Sequence, residues 1–185
     1  MKRIAAVLAA VLALAAAPAA AQIEILLSKP ILGAVERGEI DAVRQALLKG
    51  ESPNQIDARR QPLLILAVSK GHVEVAEVLL KGGAIVDATD GEGRTALLRA
   101  AERNDPEMVQ LLLRRNAKPN IGDRAGMTPL MLAARNGSNE IARALLDRKA
   151  NPNAADHTGR TALAYAREAR RGSVGDLIRR AGGRE

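Results

Sequence analysis

The chain has no cysteine, no tryptophan, no phenylalanine and one tyrosine, Tyr165. Without cysteine there is no disulfide scaffold, no zinc ribbon and no thiol nucleophile. Without aromatic platforms a single-strand nucleic-acid binder lacks the surfaces on which bases stack. Histidine is scarce: His72 and His157 lie far apart, and no H-x-x-x-H pair occurs. No metal site and no cofactor are expected. Acids are outnumbered, 21 Asp+Glu against 28 Lys+Arg in 185 residues. Hydrophobic residues make up 47% of the chain, too many for a disordered polymer.

Long apolar runs are also missing after the first segment, which reads MKRIAAVLAAVLALAAAPAAAQ. Lys2 and Arg3 form a basic start, Ile4 to Ala17 carry no polar side chain, and Pro18 is followed by the small residues Ala19 to Ala21. This three-part pattern predicts a secretory signal peptide over 1–21, cleaved after Ala21. The alternative is an uncleaved anchor, but an apolar stretch ending at Ala21 is at the short limit for spanning a bilayer. Cleavage leaves 164 residues with a net charge of +5 and no membrane attachment. The mature protein is expected in the periplasm or outside the cell.

The rest of the chain has a period of 33. Asp57, Asp90, Asp123 and Asp156 are spaced by it. Gly93, Gly126 and Gly159 follow the last three at a constant offset, as do Thr95, Thr128 and Thr161. Leu64, Leu97, Leu130 and Leu163 form another column, and Asn54, Asp87, Asn120 and Asn153 one more. Asp123–Gly137, D-R-A-G-M-T-P-L-M-L-A-A-R-N-G, resembles the ankyrin repeat with its G-x-T-P-L-H-x-A-A-x-x-G core. Gly71–Ala84 is similar to that repeat's second half. The resemblance spans about residues 24–183. It implies an all-α solenoid of five helix–turn–helix units joined by β-hairpin fingers. The units are expected at 24–56, 57–89, 90–122, 123–155 and 156–185, all in one domain from residue 22.

Residue chemistry agrees with that reading. Each Thr of the period precedes an apolar helical stretch, where its hydroxyl can cap the first turn for about 1 kcal/mol. Pro129 follows Thr128 at the first helical position, where a missing N–H costs nothing. The first helices end at Gly38, Gly71, Asn104 or Gly137, residue types that accept left-handed backbone. The second helices open with Asp41, Glu74, Glu107 or Glu140, which suit a helix N-terminus. Val75, Val78 and Leu79, and again Met108, Leu111 and Leu112, mark one buried stripe per second helix. Departures stand at Arg60 in the turn-glycine column, at Lys149 and Arg170 in helix-closing columns, and at Leu47-Leu48, one place later than Leu79-Leu80. Arg60 puts the finger before the second unit in question.

No reactive constellation converges in the sequence. Gly91–Ala96 matches a dinucleotide-binding fingerprint in letters, but Gly93 belongs to the turn column, and that fingerprint needs a preceding strand. Asp87–Gly93 has Glu92 where a calcium loop needs glycine. His72 is expected in helix-turn contacts and His157 on an exposed finger. A hydrolase or metal-binding protein is the least favoured class; a non-enzymatic protein-binding module is favoured, acting as scaffold, protector or inhibitor. A secreted effector using the same surface is the alternative. The resemblance implies that a protein partner lies against finger tips and first helices. Arg59, Arg94, Arg124, Met127 and Arg160 map to fingers, and Lys70, Arg103 and Arg135 to first helices. Their basic bias points to an acidic protein surface as partner of a monomer, and not to nucleic acid.

Overall fold

A computed structural model describes residues 30–184. The expected signal peptide at 1–21 and the first residues of the first unit lie outside the described residues. Ten helices form there: α1 (Pro30–Arg37), α2 (Ile40–Leu48), α3 (Leu63–Lys70), α4 (Val73–Lys81), α5 (Ala96–Glu102), α6 (Pro106–Arg114), α7 (Pro129–Asn136), α8 (Asn139–Asp147), α9 (Ala162–Glu168) and α10 (Gly172–Arg180). Each odd-numbered helix packs against the even-numbered one that follows. Odd-numbered helices also stack on one another along the chain, and even-numbered helices do the same. The result is two parallel rows with an apolar seam between them.

That seam explains why such short helices hold. A helix of seven to nine residues is unstable alone in water. Here Leu64, Leu97 and Leu130 of the first helices are buried, and so are Val75, Leu79, Met108, Leu112, Ile141 and Leu145 of the second. Each unit fills its side of the seam only through its neighbours, so stability resides in the interfaces. Leu48, displaced by one position from the stripe, is 80% exposed, while Ala46 takes the buried place.

Local signals set the helix boundaries. Thr95, Thr128 and Thr161 each accept a hydrogen bond from the backbone N–H three residues on. Asp105 and Ser138 do the same for α6 and α8. Pro62 occupies the cap of α3 and offers no side-chain bond. Left-handed backbone closes the helices at Gly71 and Gly137, and non-glycine residues adopt it at Asn104, Asn116, Lys149 and Arg170.

Tight turns link the units. In each, the period-33 aspartate accepts the N–H groups two and four residues ahead, as Asp90 does from Glu92 and Arg94. Its own N–H donates to the carbonyl four residues on, closing the turn. Hairpin strands were expected at these places; among the described residues no strand forms, and single antiparallel bridges occur instead, at Ile56–Pro62, Thr89–Thr95 and Ala155–Thr161. With the chain turning within a few residues of each Asp, the arms are too short to pair further.

Candidate functional site

The turns and the first helices line one continuous side of the stack. A hollow of about 550 Å³ lies over α1 and α3, bounded by Leu32, Glu36, Arg59, Gln61, Lys70 and Arg99. A smaller one, about 220 Å³, follows between the 57–61 and 90–94 turns, sharing Arg59, Gln61 and Arg99 with the first. A third, about 590 Å³, opens beyond it between Ile56, Arg60, Asp90, Gly91 and Arg124. On the opposite side, α6 and α8 border a shallow mixed-charge hollow at Gln110, Glu140, Arg143 and Asp147, away from the turns.

The eight sequence-predicted residues all fall on the turn and first-helix side, but they do different things. Arg94 Nε donates to Asp90 Oδ2 at 3.1 Å, and its other end pairs with Glu92. Arg160 Nε donates to Thr158 Oγ1 at 2.9 Å and lies 3.5 Å from Asp156 Oδ2; its guanidinium stacks 4.6 Å above the Tyr165 ring. Arg103 reaches back to the preceding unit and donates to the Ser69 carbonyl at 2.8 Å. Arg94 and Arg160 brace their own turns, and Arg103 ties its unit to the one before. Arg59, Lys70, Arg124 and Arg135 are exposed, and their side chains make no hydrogen bond or ion pair among the described residues. Met127 is half-buried against the core. His157 is exposed, as expected for a turn residue.

Two aspartates show how the turns are charged. Burial acts to raise the Asp90 carboxyl, but the Arg94 and Glu92 N–H groups and the Arg94 guanidinium outweigh it, and Asp90 stays below the usual carboxylate range. Asp156 is deeper, 7% exposed. Burial opposes its charge too, yet bonds from the Thr158 hydroxyl at 2.6 Å, the Tyr165 hydroxyl at 2.6 Å and two backbone N–H groups hold its carboxyl well below the usual range. Burial first, and then the bond to Asp156, push the Tyr165 phenol up to about 12. Both aspartates are therefore ionised at neutral pH and already fully engaged. Neither is a free acid or base.

Arg99 was not anticipated. It bridges Asp90 at 3.2 Å and Glu102 at 3.0 Å and forms part of the floor of two hollows. Nor was the role of the Asn column. Asn54 accepts from Ile85 N–H and donates to the Gly83 carbonyl. Asn120 does the same with Asn151 and Lys149, and Asn153 with Arg184 and Gly182. The spacing of this column identified it in the sequence, but its bonds run about one period along the chain and are invisible to local reasoning. His72 differs from its expected local contacts: its Nε2 lies 3.3 Å from the Glu36 carbonyl of the preceding unit, against Gly38. Asn136 makes the matching link to Ala101 and Glu102 carbonyls, so its amide is committed to the fold.

Among the described residues no group of three or more His, Asp or Glu converges in a way that could hold a metal ion. No helix of the described residues is long and apolar enough to cross a membrane. Gly91–Ala96 covers the 90–94 turn and the start of α5, with no strand before it. No curated protein matches the chain. A family model described as ankyrin repeats (3 copies) matches residues 31–123 and again residues 97–179, together most of the chain. Repeats of this kind generally mediate protein–protein interaction and are typically non-enzymatic scaffolds. The two stacked helix rows, the Asp-closed turns and the Thr-capped first helices are the physical content of that match, and the chain belongs to the ankyrin-repeat family.

Proposed function

We propose that this chain is a non-enzymatic protein-binding module that takes an acidic protein surface on its turn and first-helix side. The observation that carries the reading is the contrast between neighbouring cations. Arg94, Arg103 and Arg160 are consumed by internal bonds, whereas Arg59, Lys70, Arg124 and Arg135 project into solvent along the same side. Unpaired cations in a row attract an acidic surface, speed its approach and fix its register. Arginine suits this because its planar fork meets a carboxylate with two bonds.

The reading includes five units at 24–56, 57–89, 90–122, 123–155 and 156–185, the turns serving as short fingers. It also includes export by the segment 1–21 and action of a monomer in the periplasm, as scaffold, protector or inhibitor of its partner. Immobilised protein should capture a partner from periplasmic extract. Replacing Arg59, Lys70, Arg124 and Arg135 together by Glu should abolish capture without changing the circular dichroism spectrum. Capture that survives this replacement would put the interface elsewhere.

A further inference from the structure

Adjacent turns are zipped together at two places. Arg124 N–H donates to the Glu92 carbonyl at 3.1 Å, and His157 N–H donates to the Ala125 carbonyl at 2.9 Å. One period earlier the equivalent pair is Gly91 N–H and the Arg59 carbonyl, and no such bond forms. The cause lies in the turn-glycine column. A Cβ at Gly93 would stand 3.3 Å from Arg124 N, and one at Gly126 would stand 3.1 Å from His157 N. Glycine there lets the next turn close in. Arg60 occupies the same column with φ 61° and carries a Cβ on that side. A Cβ there crowds the path by which the 90–94 turn would close in, and the slot between the two turns consists of the hollows on either side of Gly91.

We propose that this slot is the subsite for an extended acidic segment of the partner protein. Five guanidinium groups line the two hollows, Arg59, Arg60, Arg94, Arg99 and Arg124, against the carboxylates of Asp90 and Glu92. Those two carboxylates are already paired with Arg94 and Arg99, so Arg59, Arg60 and Arg124 provide the unanswered charge. Ile56, 45% exposed, supplies an apolar edge beside them. The unmade backbone pair decides the chemical class. An inserted peptide can accept from Gly91 N–H and donate to the Arg59 carbonyl, as an added strand does, while its carboxylates meet the arginines. A phosphate chain has nothing to donate to that carbonyl. This rests on the reading of the chain as a protein-binding module and names where on that side the acidic partner enters.

The test uses the full chain without its leader, a fluorescent Asp–Gly repeat peptide as probe, and a single-stranded oligonucleotide of equal charge as competitor. Saturable anisotropy with the peptide is expected, together with a saturable downfield shift of the Gly91 amide proton. Arg60→Gly is the decisive variant. It lets the slot zip shut, so it should raise the urea midpoint and weaken the peptide about tenfold or more, since charge and access are lost together. Peptide affinity unchanged by Arg60→Gly, a Gly91 amide that does not move, or an oligonucleotide that binds as tightly as the peptide would each overturn the proposal. Extract capture separates the two levels. If the four-cation reversal abolishes capture and Arg60→Gly leaves it intact, the module stands and the slot falls.

Discussion

Asp87→Asn should stabilise the protein, although it removes a charge and adds no apolar surface. At three of the four junctions an asparagine spans two loops, accepting one N–H at 2.7–2.8 Å and donating to one carbonyl at 3.1–3.2 Å. Asp87 performs half of this, accepting Lys118 N–H at 3.0 Å. Its carboxylate has no N–H for Asn116, whose carbonyl is the counterpart of those of Gly83, Lys149 and Gly182. The carboxamide has the same shape, so the missing bond needs no rearrangement. A new hydrogen bond contributes about 0.5–1.5 kcal/mol net, and the exposed setting puts this one at the low end. The bond to Lys118 loses its charge assistance, which offsets part of the gain. A net stabilisation of about 0.5 kcal/mol is expected, a rise of roughly 1–2 °C in Tm for a domain of this size. The converse change, Asn120→Asp, should cost about 0.5–1.5 kcal/mol. Urea unfolding of both variants beside the parent gives the result. An Asp87→Asn midpoint at or below the parent's, with Asn120→Asp neutral, would refute the idea that this column joins the units.

Thr128→Ala should lower stability by about 1 kcal/mol through the lost bond to Met131 N–H; an unchanged urea midpoint would contradict it. Gly175→Ala should add about 0.5–1 kcal/mol, because a Cβ there meets Ala166 and Leu163 at a comfortable 3.7 Å and the unfolded chain loses freedom. Tyr165→Phe should cost about 1–3 kcal/mol, since it strips a buried carboxylate of a bond. The sign of the pH dependence follows from the two groups. Asp156 is depressed when folded, so its contribution is present above the ordinary carboxylate pKa near 4 and is lost as pH falls through its lower folded value. Tyr165 is raised, so its contribution is complete below the ordinary phenol pKa near 10 and is lost as pH climbs through about 12. In Tyr165→Phe the alkaline loss should vanish, and the acid loss should be smaller and complete at higher pH because Asp156 is less depressed, read by thermal melts across the range. Reversing Arg94 or Arg160 to Glu should destabilise, whereas Arg124→Glu should not; equal melting curves for all three would show that the first two are free cations.

Much of the fold was legible because its signals are local. A threonine or aspartate before an apolar run, and a glycine or asparagine after it, fix a short helix from within a few residues. Arg60, Asn104, Asn116, Lys149 and Arg170 all adopt the left-handed backbone that their columns demand. The candidate site was less legible. Arg94 and Arg124 looked equivalent as turn cations, yet Arg94 is four residues after its aspartate and folds back on it, while Arg124 is one residue after and cannot. That offset was readable in the sequence and should separate engaged from free cations in other turns of this kind. The links made by Arg103, His72, Asn120 and Asn153 were not readable, because their partners are a repeat away and depend on how closely units stack. The second and third units also meet through the two weakest links, the open Arg60 slot and the half-made Asp87 clamp. Both weaken a junction without altering any helix, so helical periodicity carries no trace of them.

If the turns and first helices form the docking side, hydrogen exchange on the complex with the captured partner should map it there. Added protection should fall on the 57–61, 90–94 and 123–127 turns and the C-terminal ends of α3 and α7, with α6 and α8 exchanging as in the free protein. Protection confined to α6 and α8, with the turns unchanged, would contradict the account.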